Sequence, residues 1–102
     1  MPRRGEVWLV DLGLAQKTRP AVILNVPYGD SDRVLLTVVS HTTARRTSVF
    51  EVVVSAHFLR EGAFATQSIT TIPSKHALRR LGTLSSEQLA PIEDAVREWL
   101  GL

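Results

Sequence analysis

Residues 19–26 read RPAVILNV, and this stretch decides the fold class. Its centre is a continuous apolar run, which is typical of a β-strand buried on both faces. Pro20 cannot donate a ladder hydrogen bond, so we expect it at the start or edge of that strand. Upstream, residues 5–12 (GEVWLVDL) are rich in β-forming residues. The two stretches predict a pair of strands, joined by a short polar connection at residues 13–18.

Further short strands are predicted downstream, separated by turn signals and polar loops. The predicted elements are a third strand at 33–40, a polar loop at 41–47, a fourth strand at 48–54, a fifth strand at 63–72, a single helical turn at 73–78 and a short closing strand at 81–84.

The periodicity changes near the C-terminal end, where apolar residues recur at spacings of three and four. Ser85 with Gln88 fits a capping box, and Gly101 fits a helix stop. Because Pro91 would remove a hydrogen bond inside a helix, we expect a turn at 85–89 that leads into the main helix at 91–100. The apolar face consists of Leu89, Ile92, Val96, Trp99 and Leu100.

These elements predict a mainly β protein with a C-terminal α-helix. Short strands followed by one amphipathic helix favour a small, strongly bent antiparallel sheet or barrel, with the helix over an open face. The 102 residues fit a single domain spanning 1–102. At this size the core is small, so association with a second copy would help to stabilise it.

Composition places the chain among ordinary globular proteins, with 44% hydrophobic and 22% charged residues. It has no cysteine, no apolar signal region and no run near the ~18 apolar residues of a membrane span, so we expect a cytoplasmic location. The net charge is +2, but residues 1–46 hold seven basic and four acidic residues. This basic bias is compatible with a polyanionic partner, although on charge alone a solvated surface is the simpler interpretation.

Several kinds of site can be set aside. The chain has no P-loop, no dinucleotide fingerprint and no nucleophile elbow. His41, His57 and His76 lack the spacing of a metal site. An enzyme with this sequence is therefore expected to use no metal and no cofactor.

The remaining polar residues lie at strand ends. Arg19 opens the second strand, while His41, Thr42 and Thr43 follow the third. A guanidinium matches phosphate geometry and stabilises phosphoryl transition states, and a threonine hydroxyl can hydrogen-bond a phosphate oxygen. Such a set suits a phosphodiester better than a carbonyl. On these residues alone, a strand-edge arginine and turn threonines are the simpler interpretation.

The order of motifs resembles the MazF/PemK family of toxin endoribonucleases. The resemblance covers nearly the whole chain. The matching stretches are RGEVWLVDL at 4–12, RP followed by AVILN at 19–25, TVVSHTT at 37–43, QSITTI at 67–72, LGTLS at 81–85, and the helix with its terminal LGL.

That resemblance implies a Src-homology-3-like barrel, a homodimer, a cognate antitoxin partner and metal-independent cleavage of single-stranded RNA. The RNA's own 2′-hydroxyl would attack, leaving a 2′,3′-cyclic phosphate and a 5′-hydroxyl. By position, the catalytic residues would be Arg19 and Thr42, and we hypothesise that the adjacent His41 assists proton transfer. The residues expected to bind RNA are Lys17, Thr18, Thr43, Arg45, Arg46 and Gln67.

The sequence also departs from the family pattern. The connection at 13–18 is short, Ser40 and His41 stand where a proline and an aliphatic residue are common, and Thr70 replaces a frequent arginine. Thr43 is an adjacent rival to Thr42 for the active hydroxyl. Two alternatives follow: a family member that binds RNA or antitoxin without cleavage, and a gyrase poison of the CcdB type. The C-terminal Trp-Gly-aliphatic ending of the CcdB type is loosely similar to residues 99–102 (WLGL).

Overall fold

The computed structural model describes residues 1–13 and 17–102, and one antiparallel sheet with a C-terminal helix dominates it. The predicted fold class is confirmed. The middle of the polar connection predicted at 13–18 lies outside the described residues. The elements are β1 (Glu6–Asp11), β2 (Thr18–Ile23), β3 (Leu35–Thr42), β4 (Glu51–Val52), β5 (Ala63–Ala65), β6 (Thr70–Pro73), β7 (Ala77–Thr83) and α1 (Ser86–Leu100), with 3-10 turns at Thr66–Ser68 and Ser74–His76.

The strand β3 lies at the centre of the sheet. The strand order is β4-β5-β3-β2-β1-β7, and β6 also pairs with β3. β3 pairs with β6 at its start, with β2 from Val38 to Ser40, and with β5 at His41 and Thr42. Three different strands therefore take up the hydrogen bonds of one eight-residue strand.

Each face of the sheet buries its own apolar cluster. On the face that α1 covers, the helix face, Val7, Val22 and Val39 pack with Phe64 and Ile92. The opposite side, the far face, carries a second cluster of Val10, Ala21, Ile23, Leu36, Val38 and Ile72. Successive residues of β2 thus enter alternate clusters, which confirms that the apolar run is buried on both faces. The strand ends at Ile23, before the predicted end.

The predicted boundaries of four strands were wrong. The strand expected at 63–72 is two strands separated by a 3-10 turn, because β5 and β6 pair with opposite ends of β3. The buried Thr66 holds that turn: its backbone N–H donates to the Phe50 carbonyl at 3.0 Å. β3 runs through His41 and Thr42, which were expected in a loop. The fourth strand shrinks to Glu51–Val52, and the closing strand lengthens to Ala77–Thr83.

The capping prediction for the helix is confirmed, but its expected start at Pro91 was wrong. The Ser85 hydroxyl accepts from the Gln88 N–H at 3.1 Å, and Gln88 Oε1 accepts from the Ser85 N–H at 2.9 Å. Gly101 ends the helix with a φ of 73°. The capping box therefore sets the start, and Pro91 lies inside the helix, where it removes one backbone donor.

The apolar helix face is buried only along its first turns. Leu89 and Ile92 are buried, whereas Trp99 is 42% exposed and meets the Phe50 ring edge-on at 5.2 Å. Arg4 ties this helix to the sheet by contacting both Glu93 and the Leu24 carbonyl. Among the described residues, no helix is both long and apolar enough to cross a membrane.

The backbone at Gly62 packs closely against β3, so this position should not tolerate a larger side chain. A Cβ there would lie 2.1 Å from the Thr42 carbonyl oxygen and 2.8 Å from His41 Cε1. We expect Gly62→Ala to lower the free energy of unfolding by about 1–3 kcal/mol, measured by urea denaturation. Gly29→Ala is the control, because its Cβ would meet nothing closer than 3.7 Å. Equal stability of the two variants would contradict this packing.

Candidate nucleic-acid interface

A groove of about 510 Å³ opens on the helix face of the sheet, beyond the part that α1 covers. Its floor crosses four strands through Leu9 on β1, Pro20 on β2, His41 on β3 and Leu81 on β7. Leu9 lies directly opposite Pro20 in the β1–β2 register, so their side chains share a face. The groove therefore has a largely apolar floor built on rigid strands.

Three arginines line the same groove. Arg19 comes from the start of β2, Arg79 from β7, and Arg60 from the loop between β4 and β5. Among the described residues that line the groove, none is an aspartate or glutamate. The ion pairs in the described part of the chain involve other arginines, namely Arg4, Arg80 and Arg97. Unneutralised guanidinium groups that converge on one concavity favour an anionic ligand.

A glycine on β7 sets the position of the groove's outer wall. A Cβ at Gly82 would lie 2.3 Å from the Phe58 ring, so only glycine admits that ring against the strand. Phe58 also packs against the helix-face cluster. The Leu59 N–H donates to the Ala56 carbonyl at 3.0 Å and closes the turn. Arg60 is thus carried by a loop that is anchored to the sheet.

His41 forms part of the floor and is an unusual residue to find there. Its side chain is only 3% exposed, and its ring meets Phe64 edge-on at 5.0 Å. Nε2 is buried and has no hydrogen-bond partner among the described residues. Burial lowers the pKa of His41, because a charged imidazole would lose its hydration there. The ring is therefore neutral near pH 7.

The sheet register relates Arg19 to Thr42. The β2–β3 ladder ends with Ala21 opposite Ser40. Continued by two residues, the same register would place Arg19 opposite Thr42, with both Cβ atoms on the far face, the side of Ala21. Arg19 also lines the groove, because it lies at the open end of β2. Thr42 Oγ1 accepts a hydrogen bond from the Ala44 N–H at 3.1 Å, which turns the chain at the end of β3.

The other predicted site residues divide into three groups. Thr18 and Thr43 line the groove with Arg19 and His41. Arg45 lines an adjoining cavity of about 320 Å³ together with Thr43. The remaining candidates, including Thr42, line neither cavity. They are Lys17, Thr42, Arg46 and Gln67.

Arg60 and Arg79 were missed by the sequence reasoning. Arg79 and Arg80 lie on β7, which was expected to begin only at residue 81. Neighbouring residues of a strand point to opposite faces of the sheet. A strand predicted over residues 79 and 80 would therefore have placed one arginine on each face. Arg60 carries no comparable signal, because only the anchored loop brings it to the groove.

Fold and groove together define a small, helix-capped β protein with a cationic groove on one sheet face. A profile of the PemK-like, MazF-like toxins of type II toxin–antitoxin systems matches residues 3–100. The chain therefore belongs to this toxin family, as its motifs indicated.

Solved structures agree with that assignment. A mycobacterial endoribonuclease in complex with its cognate antitoxin superposes with a TM-score of 0.85 at 25% identity, covering 100% of this chain and 97% of the other. The Mycobacterium tuberculosis toxin MazF-mt6 gives 0.80 at 25% identity, covering 95% and 97%. MazF from a MazE–MazF crystal of Deinococcus radiodurans gives 0.82 at 19% identity, covering 99% and 96%, and supports the fold alone.

The buried imidazole predicts a pH-dependent stability. Because the pKa of His41 is lowered in the folded state, the unfolded chain binds the extra proton first as the pH falls. The free energy of unfolding should therefore decrease below the unfolded pKa near 6.5 and continue to fall until the folded pKa is passed. The slope should be at most about 1.4 kcal/mol per pH unit.

Urea denaturation between about pH 8 and pH 5 checks this expectation. His41→Leu should flatten the profile, whereas His57→Gln, at an exposed position, should leave it unchanged. A His41→Leu profile that matches the wild type would show that His41 does not cause the pH dependence.

Proposed function

We propose that this chain is a metal-independent, sequence-specific endoribonuclease that acts as the toxin of a type II toxin–antitoxin pair. Its substrate would be single-stranded RNA. The observation that carries the proposal is the groove: Arg19 and two further arginines line it, and no carboxylate lines it among the described residues. Family membership and the fold shared with a mycobacterial endoribonuclease support it.

The chemistry needs no group beyond the RNA and this chain. The 2′-hydroxyl of one nucleotide attacks the adjacent phosphorus, and the bond to the 5′-oxygen of the next nucleotide breaks. The products are a 2′,3′-cyclic phosphate and a free 5′-hydroxyl. Arg19 stays protonated, so its role is to donate hydrogen bonds to the non-bridging oxygens as negative charge builds on them.

We assign the second donor to the Thr42 hydroxyl, because the β2–β3 register relates Thr42 to Arg19. The backbone N–H of Ala44 already donates to this oxygen, which leaves the hydroxyl proton free for a phosphate. Thr18 and Thr43, which line the groove, would contact the neighbouring nucleotides. Arg45 in the adjoining cavity would hold the backbone further along.

His41 is our candidate for proton transfer. Its neutral ring is chemically suited to accept a proton, and it forms part of the groove floor. Since Nε2 is buried, the ring must turn toward the groove before it can reach a substrate. An unchanged cleavage rate of His41→Ala from about pH 5 to pH 9 would remove it from the mechanism.

The proposed partners follow from two surfaces. The cationic groove suits an acidic antitoxin segment that folds on binding and blocks the RNA. The exposed apolar side chains around the end of α1 suit a second copy of the chain, as a homodimer requires. These side chains are Val49, Trp99, Leu100 and Leu102. The toxin would act in the cytoplasm, where its RNA substrate is.

Incubation of the purified protein with long single-stranded RNA in EDTA tests the activity. We expect discrete fragments with 5′-hydroxyl ends. Arg19→Ala and Thr42→Ala should each lower the cleavage rate on the order of 10²–10³-fold, because each removes a donor to the transition state. Arg33→Ala, at an exposed position outside the groove, should cleave as the wild type does.

Comparison of Thr43→Ala with Thr42→Ala shows which of the two hydroxyls is catalytic. A loss at Thr43 with full activity at Thr42 would transfer the catalytic assignment to Thr43. Intact RNA from well-folded wild-type protein, over several unrelated sequences, would contradict the nuclease proposal. It would leave a protein that binds RNA or antitoxin without cleavage, or one directed at gyrase.

A further inference from the structure

Arg79 and Arg80 are adjacent on β7, yet they have different surroundings. Arg80 Nη1 lies 3.2 Å from Glu6 Oε2, and Arg80 lies opposite Trp8 in the register. Arg79 lies opposite Leu9 and lines the groove. The alternation of a strand thus gives one guanidinium a protein carboxylate and turns its neighbour toward the groove.

The Glu6 carboxylate is fully engaged on the other side of the sheet. Burial alone would raise the pKa of Glu6, but hydrogen bonds from Trp8, the Arg3 N–H and Arg80 outweigh this effect and lower the pKa. Trp8 Nε1 donates to Glu6 Oε1 at 3.0 Å, and the Arg3 N–H donates to the same oxygen at 2.8 Å. The charge of Arg80 is therefore satisfied within the fold, whereas no ion pair in the described part of the chain involves Arg79.

Arg60 is the second arginine of this candidate site. It lines the same groove and is carried by the loop that Phe58 anchors against Gly82. The strands that carry Arg19 and Arg79 are separated only by β1, where Arg19 lies opposite Val10 and Arg79 lies opposite Leu9. Leu9, Pro20 and Leu81 form the apolar floor of the groove. Cations along an apolar floor are the arrangement that single-stranded nucleic acid requires.

We propose that Arg60 and Arg79 form a second phosphate site, which holds a further backbone phosphate of the substrate in the groove that Arg19 also lines. This inference rests on the proposed function and extends it. The bases of the substrate would lie over the apolar floor of this groove. The guanidinium groups bind the phosphate by hydrogen bonds and charge, so this site contributes affinity without reading sequence.

Binding of a mixed-sequence, single-stranded 2′-deoxyoligonucleotide tests the site, because this probe lacks the attacking hydroxyl and stays intact. We expect Arg79→Gln to weaken binding about tenfold. The slope of log affinity against log salt should become shallower by about 0.7, the value for one phosphate contact on a single strand. Arg60→Gln should act in the same direction, and the double variant should lose about 0.7 of slope in total, because the two arginines hold a single phosphate.

Arg80→Gln is the matched control, since it removes the same charge one residue away. Its salt slope should equal that of the wild type. Arg79→Lys should keep most of the slope while it loses affinity, because an ammonium keeps the charge but not the planar fork. Thermal unfolding of each variant shows whether it is folded, and Arg60→Gln provides the same test if Arg79→Gln fails to fold.

The outcomes separate this inference from the proposed function. Equal slopes for Arg79→Gln, Arg80→Gln and wild type overturn the second phosphate site, even if the wild type cleaves RNA in EDTA. An equal loss at Arg79 and Arg80 also overturns it, since it would reflect net charge alone. A loss confined to Arg79 and Arg60 supports the site, even if no RNA is cleaved and the nuclease proposal fails. Absence of any oligonucleotide binding by the wild type overturns the site as well.

Discussion

The pairing of β3 with three other strands is the constraint on which the rest of the structure depends. β6 takes the first half of β3, β2 pairs from Val38 to Ser40, and β5 begins at His41. β6 and β5 follow one another along one edge of β3, and β2 lies on the opposite edge. The β2–β3 ladder ends at Ala21 and Ser40, so the edge of β2 is left open at Thr18 and Arg19, and the groove lies at this opening. The groove thus forms where β3 continues past its last pair with β2.

This geometry places polar residues where the sheet is buried. Ser40 and His41 lie at the end of a strand whose preceding residues are apolar, and both are buried. Ser40 is satisfied, because its hydroxyl lies 2.8 Å from that of Ser68. His41 Nε2 is not, and three arginines face the same groove without a carboxylate among its described lining residues. Buried unpaired groups and neighbouring like charges both oppose folding, so their presence here supports the proposed ligand site.

The sequence could predict much of this fold, because its strongest signals are local. The apolar run at β2 and the capping box at Ser85 each depend on neighbouring residues, and both were confirmed. The division of residues 63–72 could not be read from periodicity, since it depends on which end of β3 each half meets. Pro91 misled for a related reason: the capping box at Ser85 and the burial of Leu89 and Ile92 together hold the first turns helical despite the loss of one helical donor.

The candidate site shows the same division between local and long-range information. Arg19 and the threonines after β3 could be found because strand ends and a family motif mark them. Arg60 could not, since its place depends on the fit of Phe58 against Gly82, which are far apart in the chain. Arg79 was hidden by a strand boundary that was placed too late.

The chemistry of the groove also explains how one surface can serve both proposed partners. A guanidinium binds carboxylate and phosphate with the same planar fork, and an apolar floor accepts bases or aliphatic side chains alike. An acidic antitoxin segment and an RNA strand would therefore compete for Arg19, Arg60 and Arg79. Discrimination between RNA sequences then cannot come from these arginines, because phosphates carry no sequence information. We expect it to come from residues that reach base edges, such as those around the adjoining cavity of Thr43 and Arg45.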